Sequence, residues 1–255
     1  MSAVTAKAFP NPRFPRRREG MYRPEGQLLA EIRRLAPNAP DTFDSVTTAL
    51  EQGTPKPELI YWLIGEAARR PIEDPWTFDT VDKVRRDMDA TLDAAGERGK
   101  TIHSWVEAYS KGAALDVSSV PSQFQGYAKA FADWAGTVSW NDIVFTEANV
   151  YNTTRGYAGT ADLALRDRLG LVTLYDFKTQ KDARVYRKTG LQLRGYKESD
   201  LIVIGNRAMP MFDIDQMKAI GLGPDGNWTP RTFDEDMDDF LAALRMYRWK
   251  NRGDR

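Results

Sequence analysis

The sequence predicts an α/β protein whose mixed central sheet opens with a three-stranded antiparallel meander, is flanked by helices and is preceded by a helical elaboration. Up to Ala135 the apolar residues recur at helical spacing. From Ile143 to Thr179 they fall instead in β-branched and aromatic segments separated by short turn sequences. A helix, further strands and a last helix follow. With 255 residues and 42% hydrophobic content, the chain is long enough to bury a sizeable core.

Residues 1–40 read as a basic arm ending in a short helix. Lys7, Arg13, Arg16, Arg17, Arg18 and Arg23 stand against Glu19, and Pro10, Pro12 and Pro15 interrupt any regular element. A solvated tail and a DNA-contacting arm are both compatible with that composition, so no role is assigned to it. The short helix spans Pro24 to Arg34 and is closed by Pro37 and Pro40. Residues 41–255 then read as one domain, helical over 41–135 and sheet-bearing over 136–255. Ser45 to Leu50 starts the helical part. Glu58 to Arg70 places Leu59, Trp62, Leu63 and Ala67 on one stripe, and Asp79 to Ala95 does the same with Val81, Val84, Met88 and Leu92. A helix from Lys100 to Lys111 turns Ile102, Trp105, Val106 and Tyr109 inward, and beside them lies His103, the only histidine. Gln123 to Ala135 is the next helix.

Strands are expected at Ile143–Tyr151, Tyr157–Leu165 and Leu171–Thr179, with turns at Asn152–Gly156 and Arg168–Gly170. If Gly170 closes a three-residue loop in the left-handed conformation, Asp167 pairs with Leu171 and Asp162 falls opposite Asp176. Opposed antiparallel residues share a face, as do Asp176 and Lys178 two positions apart. Two carboxylates on neighbouring strands, with a lysine beside them, are able to bind a divalent cation through oxygen. The third strand is apolar on both faces, as befits a covered central strand. Ala158, Thr160 and Ala164, on the face of Asp162, are small and leave room for an approach to the carboxylate.

Beyond Gln180 a helix is expected from Leu191 to about Asp200, then an apolar run over Leu201–Ile204. Strands follow at Met217–Leu222 and Trp228–Phe233 around a Gly223–Gly226 turn. A final helix starts near Thr232 to Asp234 and buries Phe240, Leu241, Leu244 and Tyr247.

Composition narrows the chemistry. The absence of cysteine excludes disulfides, thiolate zinc sites, iron–sulfur clusters and Cys nucleophiles, leaving oxygen and nitrogen ligands. Thirty-six basic residues balance 36 acidic ones, so attraction to nucleic acid has to come from local charge. The longest apolar stretch, Leu59–Ala68, is broken by Glu66 and too short for a bilayer, and the N-terminus lacks a signal peptide's apolar core. The expected location is the cytoplasm, with no membrane partner.

The helix with His103, the strand with Glu147, GYAGTAD ending at Asp162, YDFKT carrying Asp176 and Lys178, and QLRGY carrying Gln192 and Tyr196 occur in that order. Together they resemble the RecB-like branch of the PD-(D/E)XK nuclease superfamily, especially the CRISPR-associated exonuclease-like proteins encoded by bacteriophages. SVTTAL, KPELIYWLIGEAA and LAALRMYRWK are similar to flanking segments of that group, so the resemblance covers most of the chain from about Ser45. D-x-K alone is common; the ordered set is specific.

The resemblance implies a restriction-endonuclease-like core that hydrolyses phosphodiesters with Mg2+ or Mn2+ held by His103, Asp162, Asp176 and the Phe177 backbone carbonyl. It makes Lys178 the group that positions the attacking water or stabilises developing charge; a structural ion pair with an aspartate is the alternative. Gln192 would orient the lysine or water, and Tyr196 would contact nucleic acid or pack in the core. Glu147 reads as an accessory metal group or an ion-pair partner, and Glu107, one turn past His103, as a group able to orient the imidazole. Many relatives hold an iron–sulfur cluster through four cysteines; this chain has none, and it has no helicase P-loop.

Lys181, Arg184, Arg187, Lys188, Arg194 and Lys197, with Tyr186 among them, follow the third strand as candidate phosphate and base contacts, or as a solvated loop. The function expected is a divalent-metal-dependent DNA exonuclease. Its substrate would be DNA ends that are single-stranded or have single-stranded character. Its setting would be phage recombination or repair in the cytoplasm of the bacterial host, with a recombination partner protein. A structure-specific or nicking endonuclease and a non-catalytic DNA-end-binding protein are the alternatives.

Overall fold

Alternating apolar residues after Ile143 build the sheet that organises the chain. In the computed structural model, residues 20–54, 61, 64, 65, 68, 78–114, 116–140 and 142–252 are described. The meander consists of β3 (Ile143–Asn152), β4 (Tyr157–Arg166) and β5 (Val172–Thr179), each within a residue or so of its expected bounds. β6 (Leu201–Ile204) and β7 (Arg207–Pro210) extend the sheet beyond β3, while β8 (Gln216–Leu222) and β9 (Trp228–Phe233) extend it beyond β5. β1 (Met21–Tyr22) and β2 (Phe43–Ser45) complete a nine-stranded sheet. It is mostly antiparallel; β5 runs parallel to β8, and β2 parallel to β4. The protein is therefore mixed α/β, with flanking helices and a helical N-terminal region.

Three apolar clusters cover the sheet. Val46 and Leu50 of α2 (Val46–Gly53) pack on Val172 and Leu174 together with Leu193 and Tyr196 of α5 (Lys188–Lys197) and Phe240 and Leu244 of α6 (Met237–Lys250). On the other face, Ile102 and Val106 of α3 (Phe78–Ser110) and Phe131 and Trp134 of α4 (Gln125–Ala135) pack on Tyr175 and Phe177. β5 is thus covered on both sides, as its unbroken apolar run predicts. Ile32 of α1 (Gly26–Leu35) joins Phe43 and Tyr151 in the third cluster. Among the described residues, no helix is long and apolar enough to cross a membrane.

Several boundaries differ from expectation. The helices expected at Asp79–Ala95 and Lys100–Lys111 are one 33-residue helix, α3. Gly96 and Gly99 each cost about 1 kcal/mol in a helix, too little to end one that has no proline. α5 starts and ends about three residues early, and α6 starts late, at Met237. Its cap is Asp236, whose carboxylate accepts the Asp238 N–H at 2.8 Å. β1, β2 and β7 have no counterpart in the sequence pattern, since at two to four residues they are too short to show a period. The basic arm through Glu19, the stripe of Leu59, Trp62, Leu63 and Ala67, and the side chains of Val81, Val84, Met88 and Leu92 lie outside the described residues.

Candidate metal centre

The site forms where β4 loses a neighbour. Gly170 adopts φ +85°, Asp167 N–H donates to the Leu171 carbonyl at 2.9 Å, and the ladder runs from Arg166 opposite Val172 to Leu163 opposite Tyr175. One further step puts Asp162 level with Asp176, yet the pairing stops. β2 meets the same edge of β4 only at Tyr157 and Ala158, so residues 159–162 face a gap. There the Asp162 carboxylate replaces the missing strand, accepting the Phe177 N–H at 2.9 Å.

Across β3 the corresponding residue is Glu147, between the pairs Thr146 with Leu163 and Ala148 with Ala161. Its φ of +42° is left-handed, a conformation that costs a non-glycine residue about 1–2 kcal/mol. The regular pairs on either side hold it there, and such strain concentrates at functional sites. Alternation also breaks beside Asp162. Ala158 belongs to the cluster of Phe43 and Tyr151, whereas Ala161 and Ala164, of opposite parity, both belong to the cluster of Val172 and Leu174. The continuous small-residue face expected around Asp162 is therefore absent; a break in the sheet supplies the room.

His103 approaches from α3, anchored by the buried Ile102 and Val106. Its Nε2 donates to the Phe177 carbonyl at 3.1 Å, and its Nδ1 lies 3.4 Å from Asp162 Oδ2 and 3.6 Å from Glu147 Oε1. Ligand atoms of His103, Glu147 and Asp162 all lie within 4.8 Å of one another. Glu147 Oε1 is buried with no hydrogen-bond partner. The Asp162 carboxylate, above all, pushes the His103 imidazole up to about 9, and burial raises Asp162 itself. Both shifts reflect carboxylates crowded where positive charge is in demand. One imidazole and two carboxylates, with an orphaned oxygen among them, are a donor set that fits a hard or borderline divalent cation such as Mg2+ or Mn2+.

The convergence differs in detail from expectation. The Phe177 carbonyl is engaged by the imidazole and so orients the ring. Glu147 occupies the third corner, which the expected set gave to Asp176. Glu107 is paired with Lys111, and Phe177, Asp162 and Glu147 surround the imidazole in its place.

Asp176 belongs to a second group. Lys178 Nζ sits 2.9 Å from Oδ1 and 2.8 Å from Oδ2, only the former at a hydrogen-bonding angle, so Oδ2 has no hydrogen bond. Burial, against the pull of Lys178, raises the Asp176 carboxyl to about 6. The Lys178 ammonium is held above its ordinary value by Asp176 and then Asp162, which outweigh its desolvation. Gln192 Nε2 donates both to Asp176 Oδ1 at 3.0 Å and to Tyr196 Oη at 2.9 Å. Tyr196 is only 2% exposed, and a Cβ at Gly159 would collide with its ring. Of its two readings the structure favours the core, from which Tyr196 holds Gln192.

In the basic flank, Lys181, Arg184 and Tyr186 are exposed, and the Arg184 guanidinium lies 5.7 Å from the Tyr186 ring centre. Lys188 is exposed as well. Arg187 is paired with Glu235 and Arg194 with Glu198, which lowers the charge they offer a phosphate. A polar chain unforeseen in the sequence continues from the gap: Thr160 Oγ1 donates to Asn149 Oδ1 at 2.9 Å and receives the Tyr22 hydroxyl at 3.0 Å.

No family model and no curated protein matches the sequence. Among solved structures the chain is similar to the crystal structure of SSO0001, at 12% identity and a TM-score of 0.39, over 89% of this chain and 85% of that one. A likeness at that level carries no argument about family or activity.

Proposed function

We propose that this chain is a divalent-metal-dependent nuclease of the RecB-like kind, hydrolysing DNA phosphodiester bonds at DNA ends in phage recombination or repair in the host cytoplasm. The observation that carries the proposal is the gap beside β4, where His103, Glu147 and Asp162 converge next to the Asp176–Lys178–Gln192 group. His103, Glu147 and Asp162 would hold Mg2+ or Mn2+, with Asp176 beside them. Such an ion, when bound, supplies Lewis-acid polarisation of the phosphate and an acidified water.

The chain's own residues supply the rest. Lys178 presents a fixed ammonium to charge developing on the phosphate, and it is pre-positioned because Asp176 grips it on one side. Gln192, held by Tyr196, keeps the Asp176 carboxylate in the rotamer that Lys178 requires. Phe177 fixes the imidazole tautomer by accepting from Nε2, which leaves Nδ1 for the cation.

The test is incubation of the purified protein with end-labelled linear and closed circular DNA, single- and double-stranded, in Mg2+, Mn2+ or EDTA, beside Asp162→Ala and Lys178→Ala. Metal-dependent loss of linear DNA alone supports the exonuclease, whereas cutting of circles supports an endonuclease. DNA binding with no cleavage in either metal, indistinguishable from the variants, would overturn the enzymatic reading.

A further inference from the structure

We infer that Arg98 is a phosphate-binding residue that receives the DNA backbone next to the scissile position, an inference that rests on the nuclease reading above. Several arginines near β4, α5 and α6 are matched by carboxylates: Arg166 by Asp142, Arg187 by Glu235, Arg194 by Glu198 and Arg248 by Asp44. Arg98 is not. Among the described residues it has no carboxylate within ion-pairing distance, and its Nε is buried without an acceptor. Its contacts are a donation from Nη2 to the Thr179 carbonyl at 3.3 Å and a cation–π contact with Tyr127 at 5.1 Å. Nη1 has no protein partner among the described residues. Arg98 is half-buried, and with its Nε cut off from water and no anion beside it the guanidinium gains from an anionic ligand.

Position identifies the anion. Thr179 follows Lys178 directly on β5, and its carbonyl points to the same side as that of Phe177, which holds His103. Arg98 therefore sits two residues further along the strand, roughly 7 Å from the point where His103 is fixed. The helix face beside it is open, since a Cβ at Gly99 would meet only Thr179 Oγ1, at 4.0 Å. A planar fork, kept in orientation by an aromatic ring and a carbonyl, suits a phosphodiester oxygen pair better than a point charge does. A chain whose scissile phosphate lies at the metal cluster would bring its neighbouring phosphate to this fork.

The experiment measures anisotropy of fluorescein-labelled single-stranded DNA in Ca2+ across a KCl titration, for wild type, Arg98→Gln and Arg98→Lys. Mn2+ binding and melting temperature are measured alongside. Arg98→Gln should weaken binding about tenfold and flatten the slope of log affinity against log salt by about 0.7, the value for one phosphate contact on a single strand. Arg98→Lys should keep the slope while losing affinity severalfold, and both variants should bind Mn2+ as wild type does. An unchanged slope in Arg98→Gln, with any affinity loss tracking melting temperature, overturns the assignment and leaves the metal site standing. Wild-type protein that binds neither Mn2+ nor DNA overturns the nuclease reading and this inference with it.

Discussion

Two carboxylates from the same stretch of sheet, Asp44 and Asp162, meet opposite fates. Asp44 is 2% exposed, and Arg248 Nε donates to it at 2.6 Å while Nη2 donates to the Arg155 and Gly156 carbonyls at 2.7 and 3.1 Å. That network joins α6 to β2 and to the turn before β4. Asp162 is 6% exposed, yet around it gather another carboxylate with an orphaned oxygen and an imidazole whose proton is held unusually tightly. Burial of charge is common to both. What separates them is completeness: the Asp44 group is matched within the chain, whereas the Asp162 group is matched only when a cation or proton is added.

Mutating each group separates the two roles. Asp162→Ala should reduce metal-dependent cleavage by roughly a thousandfold, the equivalent of about 4 kcal/mol in the barrier, while costing only about 1 kcal/mol of stability through the Phe177 N–H it leaves without an acceptor. Arg248→Met should do the reverse, costing roughly 3 kcal/mol of stability by stranding Asp44 and leaving the cleavage rate per folded molecule near wild type. Cleavage assays paired with denaturant melts check both, and a stability loss in Asp162→Ala as large as that in Arg248→Met would erase the distinction.

Metal linkage gives the next largest effect. Mn2+ at a hundred times its dissociation constant should stabilise wild type and Arg248→Met by about 2.7 kcal/mol and leave Glu147→Gln nearly unaffected. Equal stabilisation of Glu147→Gln would remove that residue from the cluster.

Proton linkage is smaller and has a definite sign. The folded His103 value of about 9 lies above the ordinary 6.5, so the charged imidazole favours the metal-free fold below pH 6.5, and that contribution disappears as pH rises through 9. The Asp176 carboxyl, raised to about 6, favours the fold in its protonated form, and this is lost as pH climbs from 3.8 through 6. Apparent Mn2+ affinity should therefore increase between pH 6 and 9 with release of a proton, and His103→Ala should flatten the rise. Calorimetric titrations in buffers of differing ionisation enthalpy would show it.

The smallest effect is at Glu147. Glu147→Gly should gain about 1 kcal/mol of metal-free stability by relieving the left-handed backbone, and at the same time lose Mn2+ affinity. A variant that loses both would mean that the side chain, rather than the backbone, dominates stability there.

Those local features explain what was legible in the sequence. The register of Asp162 with Asp176 follows from strand parity and one glycine turn, and the shared face of Asp176, Lys178 and the Gln192 helix follows from short-range periodicity. The Asn152–Gly156 turn sets Glu147 opposite Asp162, but its left-handed φ, which turns it into the site, has no sequence signal. The interruption of β4 depends on where β2 and β5 meet it, a tertiary property. So does the partner of Arg187: Glu235 lies 48 residues beyond it and is placed there by the β8–β9 hairpin. Helical spacing fixes only the face of Tyr196, which leaves nucleic-acid contact and core packing both open in the sequence, and the ring is covered by Gly159 from another element.

The central claim is that the gap beside β4 holds a divalent cation among His103, Glu147 and Asp162. Electron paramagnetic resonance of Mn2+ titrated into metal-free protein tests it most directly. The account predicts that wild type removes the free-ion signal with saturation at one ion per chain, and that Asp162→Ala leaves the signal as in buffer. A free-ion signal unaffected by wild-type protein, or lost equally in Asp162→Ala, would contradict it.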